Sequence, residues 1–206
     1  MKKFFALCFG VLLMVASTGA YAEEIEPDVL IKNITHEVLS TIKQDKDIQA
    51  GNQKKVLEIV NAKVLPNFDF ERMARLAVGK NWRDATPEQK MNLVAEFRNL
   101  LVRNYTNVLT RYQDQSIEIK PFKMSAGVNE ATIKTLIINS GVRTVTVDYE
   151  MGKTADGWKV FDLTVEGVSL VSIYRSTFSK QMQQAGIDGL IKTLVAKNAA
   201  NNGVAE

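Results

Sequence analysis

Little in this sequence can do catalysis or redox chemistry. Its 206 residues hold one cysteine and one histidine. One histidine cannot build a multi-histidine metal site. His36 stands beside Glu37 on a predicted helix and reads as a plain surface or core residue. The lone cysteine, Cys8, lies in an N-terminal leader, so the remaining chain has no disulfide and no thiol chemistry, and its stability must come from its core. Charge of one sign is also scarce. Lys and Arg total 26 against 23 Asp and Glu, a formal net charge of +3, which is not the strong basic excess of a general nucleic-acid binder. There is no internal repeat and no low-complexity segment. Beyond residue 15 no apolar run approaches the length of a membrane span.

The leader is the first feature present. Lys2 and Lys3 precede an apolar run over residues 4–15, and Ala20-Tyr21-Ala22 is a small-residue cleavage site. This pattern predicts a secretory signal peptide over residues 1–22, cut after Ala22. The run is too short for a comfortable membrane anchor. A lipoprotein is disfavoured because Leu7 stands where processing wants a small residue. The reading is one secreted, soluble, periplasmic domain over residues 23–198, helical to about residue 112 and then a sheet with C-terminal helices, with a flexible tail over residues 199–206.

Hydrophobic periodicity supplies the elements. Leu30, Ile34, Val38 and Ile42 form a helical stripe within residues 23–46, and Val56, Leu57, Val60 and Val64 a second one, ended by Pro66. A short helix over residues 69–78 precedes Gly79. Thr86-Pro87-Glu88-Gln89 combines a cap residue, a proline in the first turn and a glutamine three residues after the cap. It opens a long helix striped by Val94, Phe97, Leu101, Tyr105, Val108 and Tyr112. The period then changes to two. Strands are predicted at residues 117–120, 131–139, 145–151 and 158–165, joined by turns at Asn139-Ser140-Gly141-Val142 and Ala155-Asp156-Gly157. Ser169 caps a helix bearing Leu170, Tyr174, Phe178 and Met182, stopped by Gly186. Asp188 opens a last helix with Leu190, Ile191, Leu194 and Val195. The fold class is α+β: a helical N-terminal half and an antiparallel four-stranded meander with helices packed on one face.

The motifs with catalytic potential fall away one by one. Gly167-Val168-Ser169-Leu170 lacks the second glycine of a nucleophile elbow. Asp148 and Glu150 alternate with apolar residues and read as a solvated sheet face. Asp162, inside an apolar strand, needs a partner, with Arg175 or a backbone amide of the following turn as candidates. Arg72, Arg75, Lys80, Arg83 and Arg98 read as a solvated face, or as a docking or anionic-headgroup patch. What remains is an excess of apolar positions, which pattern alone cannot divide between a filled core and an empty one.

Several stretches resemble the MlaC family, the toluene-tolerance proteins: Val64-Leu65-Pro66, Asp69-Phe70, Ala77-Val78-Gly79 with Trp82, Ala85-Thr86-Pro87-Glu88-Gln89, Phe97-Arg98-Asn99-Leu100-Leu101 with Tyr105, the run from Trp158 to Phe178, and Gly186-Ile187-Asp188-Gly189-Leu190. Together they cover about residues 30–197. Val78 and Phe161 depart mildly from the family pattern. The resemblance implies a monomeric periplasmic phospholipid carrier of the Mla lipid-asymmetry system, without an enzymatic activity or cofactor. Its cargo would be a glycerophospholipid, held by its acyl chains in a cavity between sheet and helices. It would shuttle between an inner-membrane ABC transporter complex with an MCE-domain subunit (MlaFEDB-like) and an outer-membrane MlaA–porin complex, and bind no nucleic acid.

With facing inferred from alternation, the expected lipid-binding residues are Leu76, Phe97, Leu101, Tyr105, Val147, Tyr149, Phe161, Leu163, Leu170, Tyr174 and Phe178. Two other readings stay open. One is an enzyme with Asp148 or Asp162 as base inside a cavity. The other is a periplasmic adaptor with a filled core that acts only through its surface.

Overall fold

A computed structural model describes residues 25–110, 115–125, 127–139 and 142–200. The predicted leader, Tyr112, Ser140 and Gly141 of one predicted turn, and residues 201–206 of the predicted tail lie outside them.

Helix α1 (Pro27–Gln44) starts on a proline and buries Ile31, Val38 and Ile42 on one face. The polar break after it holds a four-residue helix, α2 (Lys46–Gln49). The Asp45 carboxylate caps α2 by accepting from the amides of Asp47 and Ile48 at 2.9 and 3.2 Å. Helix α3 (Gln53–Ile59) loosens into a π-helical turn (Val60–Val64) and a 3₁₀ turn (Leu65–Asn67) at Pro66. Asp69 caps α4 (Phe70–Val78), and the left-handed Gly79 (φ 66°) closes it. The predicted loop at residues 80–85 begins as a 3₁₀ turn (Gly79–Trp82). Helix α5 (Pro87–Thr110) opens on the predicted reciprocal cap: Gln89 N–H donates to Thr86 Oγ1 at 3.1 Å and Thr86 N–H to Gln89 Oε1 at 3.0 Å.

The sheet runs in chain order with every pair antiparallel: β1 (Ser116–Ile119), β2 (Glu130–Asn139), β3 (Val142–Thr154), β4 (Gly157–Val165) and β5 (Val168–Ser169). The expected four strands therefore become five. Positive φ at Glu166 (50°) and Gly167 (81°) turns the chain back, so that Val168 pairs with Val165 and Ser169 with Thr164 before the helix begins. The two expected C-terminal helices form one run, α6 (Leu170–Ala200), bent at Gly186 where φ is 67°. Ala199 and Ala200, in the predicted tail, still belong to it.

One irregularity sets the geometry of the sheet. Glu150 pairs with Asp162 but the next residue, Met151, pairs with Val160, leaving Phe161 as an extra residue in β4. Such a bulge reverses the alternation of sides along a strand. Before it the even residues Trp158 and Val160 are buried; beyond it the odd Leu163 shares their face, opposite Tyr149.

Three apolar clusters hold the molecule together. The largest joins α4, α5 and α6 through residues such as Met73, Ala77, Leu93, Phe97, Phe178 and Leu190. A second, of Ile31, Ile133, Met151, Trp158 and Val160, lies between α1 and the sheet. The third, of Val38, Ile42, Ile48, Val56 and Val60, joins α1 to α3.

Candidate functional site

The three clusters meet around space they do not fill. A cavity of about 330 Å³ lies there, at the lower end of the volumes of ligand pockets. Its wall draws on each cluster: Met73, Leu101 and Leu170 from the first, Ile31 and Val160 from the second, Val38 and Val60 from the third. Helix α1 adds Ile34, Thr35 and Leu39; the π-helical turn and its exit add Val64 and Leu65; α5 adds Val102, Tyr105 and Thr106. The sheet supplies Ile117, Ile137, Val147, Tyr149 and Leu163. Among the described residues no charged side chain lines it.

The structure divides the expected site residues into two groups. Leu101, Tyr105, Val147, Tyr149, Leu163 and Leu170 line the cavity. Phe97, Tyr174 and Phe178 instead form an interlocked aromatic group, with ring centroids 5.0 to 5.6 Å apart, inside or against the α4–α5–α6 cluster. Leu76 packs on the same cluster. Phe161 is the bulged residue, and the Arg72 guanidinium lies 3.4 Å from its ring centroid. Strict alternation would put Phe161 beside Leu163; the bulge gives that place to Val160. Sequence reasoning missed the α1 wall because Ile34 and Val38 form an ordinary amphipathic stripe. It missed Phe70 and Met73 because nothing in the pattern shows that α4 borders empty space.

Two tyrosines are the main polar features of the wall. Burial pushes the Tyr149 phenol above its ordinary range, and a hydrogen bond with Thr135 offsets part of this. Thr135 Oγ1 also donates to the Val147 carbonyl at 2.8 Å. Tyr105 is the one exposed residue among the described wall residues, at 45 %. Its phenol is pushed up to about 12, chiefly by burial of its inner part, then by the neighbouring Tyr174 and a hydrogen bond to it.

The carboxylates considered as bases lie elsewhere. Asp148 occupies the opposite face of β3 from Val147 and Tyr149, paired in register with Lys134. Asp162 organises the strand-to-helix turn. Its Oδ1 accepts from the amides of Leu163 (2.8 Å) and Val171 (3.0 Å), and its Oδ2 from the Ser169 hydroxyl. Ser169 Oγ in turn accepts from the Ser172 amide at 3.0 Å as the cap of α6. The partners of Asp162 are therefore two backbone amides and the Ser169 hydroxyl, not Arg175. The basic residues are not one free patch, since Arg72 pairs with Glu130 and Arg98 donates to Asn61 Oδ1 at 3.0 Å. Among the described residues no cluster of histidine and carboxylate side chains could hold a metal, and no helix is long and apolar enough to cross a membrane.

An apolar cavity between helices and an antiparallel sheet is the kind of site that binds a ligand by shape and apolar surface. A sequence profile of the MlaC protein family matches residues 32–196. The chain belongs to the MlaC family. It is 27% identical over 203 residues to toluene tolerance protein ttg2D of Pseudomonas putida, covering 94% of each chain. It is 25% identical over 194 residues to the intermembrane phospholipid transport system binding protein MlaC of Haemophilus influenzae, covering 93% of this chain and 91% of the other. A solved phospholipid-binding protein from Ralstonia solanacearum, in complex with a phospholipid, superposes with a TM-score of 0.79 at 33% identity. The match covers 85% of this chain and 98% of that one.

Proposed function

We propose that this protein is a periplasmic phospholipid carrier. In this reading it takes acyl chains into the cavity and carries them between an inner-membrane ABC transporter complex and an outer-membrane MlaA–porin complex, so maintaining outer-membrane lipid asymmetry. The observation that carries the reading is the cavity: about 330 Å³ of unfilled space with no charge among the described residues of its wall. The phospholipid in the Ralstonia relative and the transport-system name of the Haemophilus relative support the same cargo. The predicted leader supports the compartment.

The physics asks for such a site. Exposing a CH₂ group to water costs about 0.8 kcal/mol, so two bare acyl chains crossing the periplasm would cost on the order of 20 kcal/mol. A wall of aliphatic side chains offsets that cost without any reacting group. An enzyme using Asp148 or Asp162 would need that carboxylate in the cavity, and neither lines it.

Native mass spectrometry of the mature protein purified from a bacterial periplasm, followed by lipid extraction, tests the proposal. Phospholipid at close to one-to-one is the expected result, with Leu101→Asp folded by circular dichroism but largely empty. A clean apo mass and no uptake from liposomes would overturn the carrier reading.

A further inference from the structure

The cavity runs along the sheet, and the strand register gives its length. At one end its wall holds Ile117 and Ile137, which pair across β1 and β2. At the other it holds Val160, the partner of Met151, which is in turn the partner of Ala131. Ile137 and Ala131 stand six positions apart on β2, a span of about 20 Å at the rise of a strand.

The two ends differ. Around Val160 the structure is closed. Val160, Met151, Trp158 and Ile31 of α1 belong to one packed cluster and are all at most 3 % exposed. This end is also fixed in place. The Val160 carbonyl accepts from the Asp69 amide at 2.8 Å, which ties β4 to the cap of α4, and Phe68 bridges to Val160 beside it. Toward Ile137 the same face of the sheet opens to water. Val165, two residues beyond Leu163 and paired with Val147, is 42 % exposed.

A polar headgroup stays in water, so an amphiphile must enter with its chains leading, and their methyl ends arrive at the closed end. An acyl chain spans half of a bilayer's hydrocarbon core, about 15 Å. A chain of ordinary length therefore nearly fills the slot, and a floor packed to interior density does not recede before a longer one. We propose that Ile31 and Val160, backed by Met151 and Trp158, form a ruler that sets the longest acyl chain the cavity accepts. This rests on the carrier reading and adds to it a selectivity for chain length, whatever the headgroup. Every methylene up to the limit passes from one apolar surrounding to another. Every methylene beyond it is left in water and lowers capture by about fourfold.

The test is competitive loading. Mature protein is incubated with vesicles holding equal amounts of saturated phosphatidylethanolamines that differ only in chain length, and native mass spectrometry reads which are captured. Capture by the wild type should be level up to one length and then fall steeply. Ile31→Ala deepens the closed end, so the first length that the wild type rejects should be captured about fourfold better or more. Val160→Leu raises the floor and should move the break to shorter chains. Ile137→Ala truncates the wall at the open end and should leave the break in place. Circular dichroism melts identify the folded variants, and either floor variant alone decides the matter if the other does not fold. Level capture of every length by the wild type, a break unmoved by a folded floor variant, or a break moved as far by Ile137→Ala overturns the ruler and leaves the carrier reading intact. Capture of no lipid of any length by the wild type overturns the carrier reading, and the ruler with it.

Discussion

Two neighbouring regions of this protein are made of the same kinds of residue and end differently filled. Between α4, α5 and α6, rings and aliphatic chains interlock: Phe97 meets Tyr174 and Phe178 edge-on, and Leu93, Leu190 and Leu194 are all at most 1 % exposed. One and two turns further along α5, Leu101 and Tyr105 border open space. Neither propensity nor apolar content separates the two. The difference lies in what stands opposite. In the core a helix faces helices that can nest side chain into groove. At the cavity α5 and α1 face a sheet whose wall residues are mostly Val, Ile and Leu, with the single tyrosine Tyr149. Interiors normally close such gaps to crystal-like density, and an apolar gap that stays open is one that an apolar ligand can fill.

Truncating each region should break the comparison most visibly. Phe178→Ala removes a ring that is 2 % exposed from the filled cluster and should cost about 3–5 kcal/mol in denaturant unfolding. Leu163→Ala, on the cavity wall, should cost close to the lower end of such truncations, about 2 kcal/mol, because one side of that residue already lacks partners. Equal losses at the two sites would mean that the cavity is filled in the folded protein.

Enlarging a residue should give the opposite ranking. Ala77 is fully buried in the helical cluster, and Ala77→Leu should overpack it at a cost of about 1–3 kcal/mol. Val147→Phe directs its extra volume into empty space, so it should change stability by less than about 1 kcal/mol while reducing the lipid recovered per protein. If Val147→Phe destabilised as strongly as Ala77→Leu, the space beside β3 would not be available to a ligand.

The same contrast explains what the sequence reveals. The elements follow from local chemistry: Thr86 and Gln89 mark the start of α5, Ser169 the start of α6, and Gly79 the end of α4, each through a backbone preference visible in a few residues. The cavity does not follow, because it is a property of how elements stand apart. Leu101 and Phe97 are indistinguishable in the stripe of α5, yet one borders the cavity and the other the aromatic group. Phe161 shows a second limit. Alternation places it with Leu163, and only the register of β4 against β3 shows that an extra residue shifts the face. Strand β5 escapes for a similar reason, since two residues are too few to show a period.

The smallest expected effect concerns the tyrosines of the wall and appears in alkali. Burial raises the phenol of Tyr149, and burial with Tyr174 raises that of Tyr105 from 10.0 to about 12, so the folded state keeps protons that the unfolded chain releases near pH 10. The folded state binds more protons in that window, and stability must fall as pH rises. The share owed to these groups is whole below pH 10 and is lost as pH climbs toward about 12. Urea midpoints measured between pH 8 and pH 11.5 should hold level and then decline (about 10 marking the bend). In Tyr149→Phe the decline should be shallower, because its partner Thr135 retains the Val147 carbonyl and no buried phenol remains on β3 to resist ionisation. The same decline in the variant would place the resistance in Tyr105 alone, at the mouth of the cavity rather than in its sheet wall.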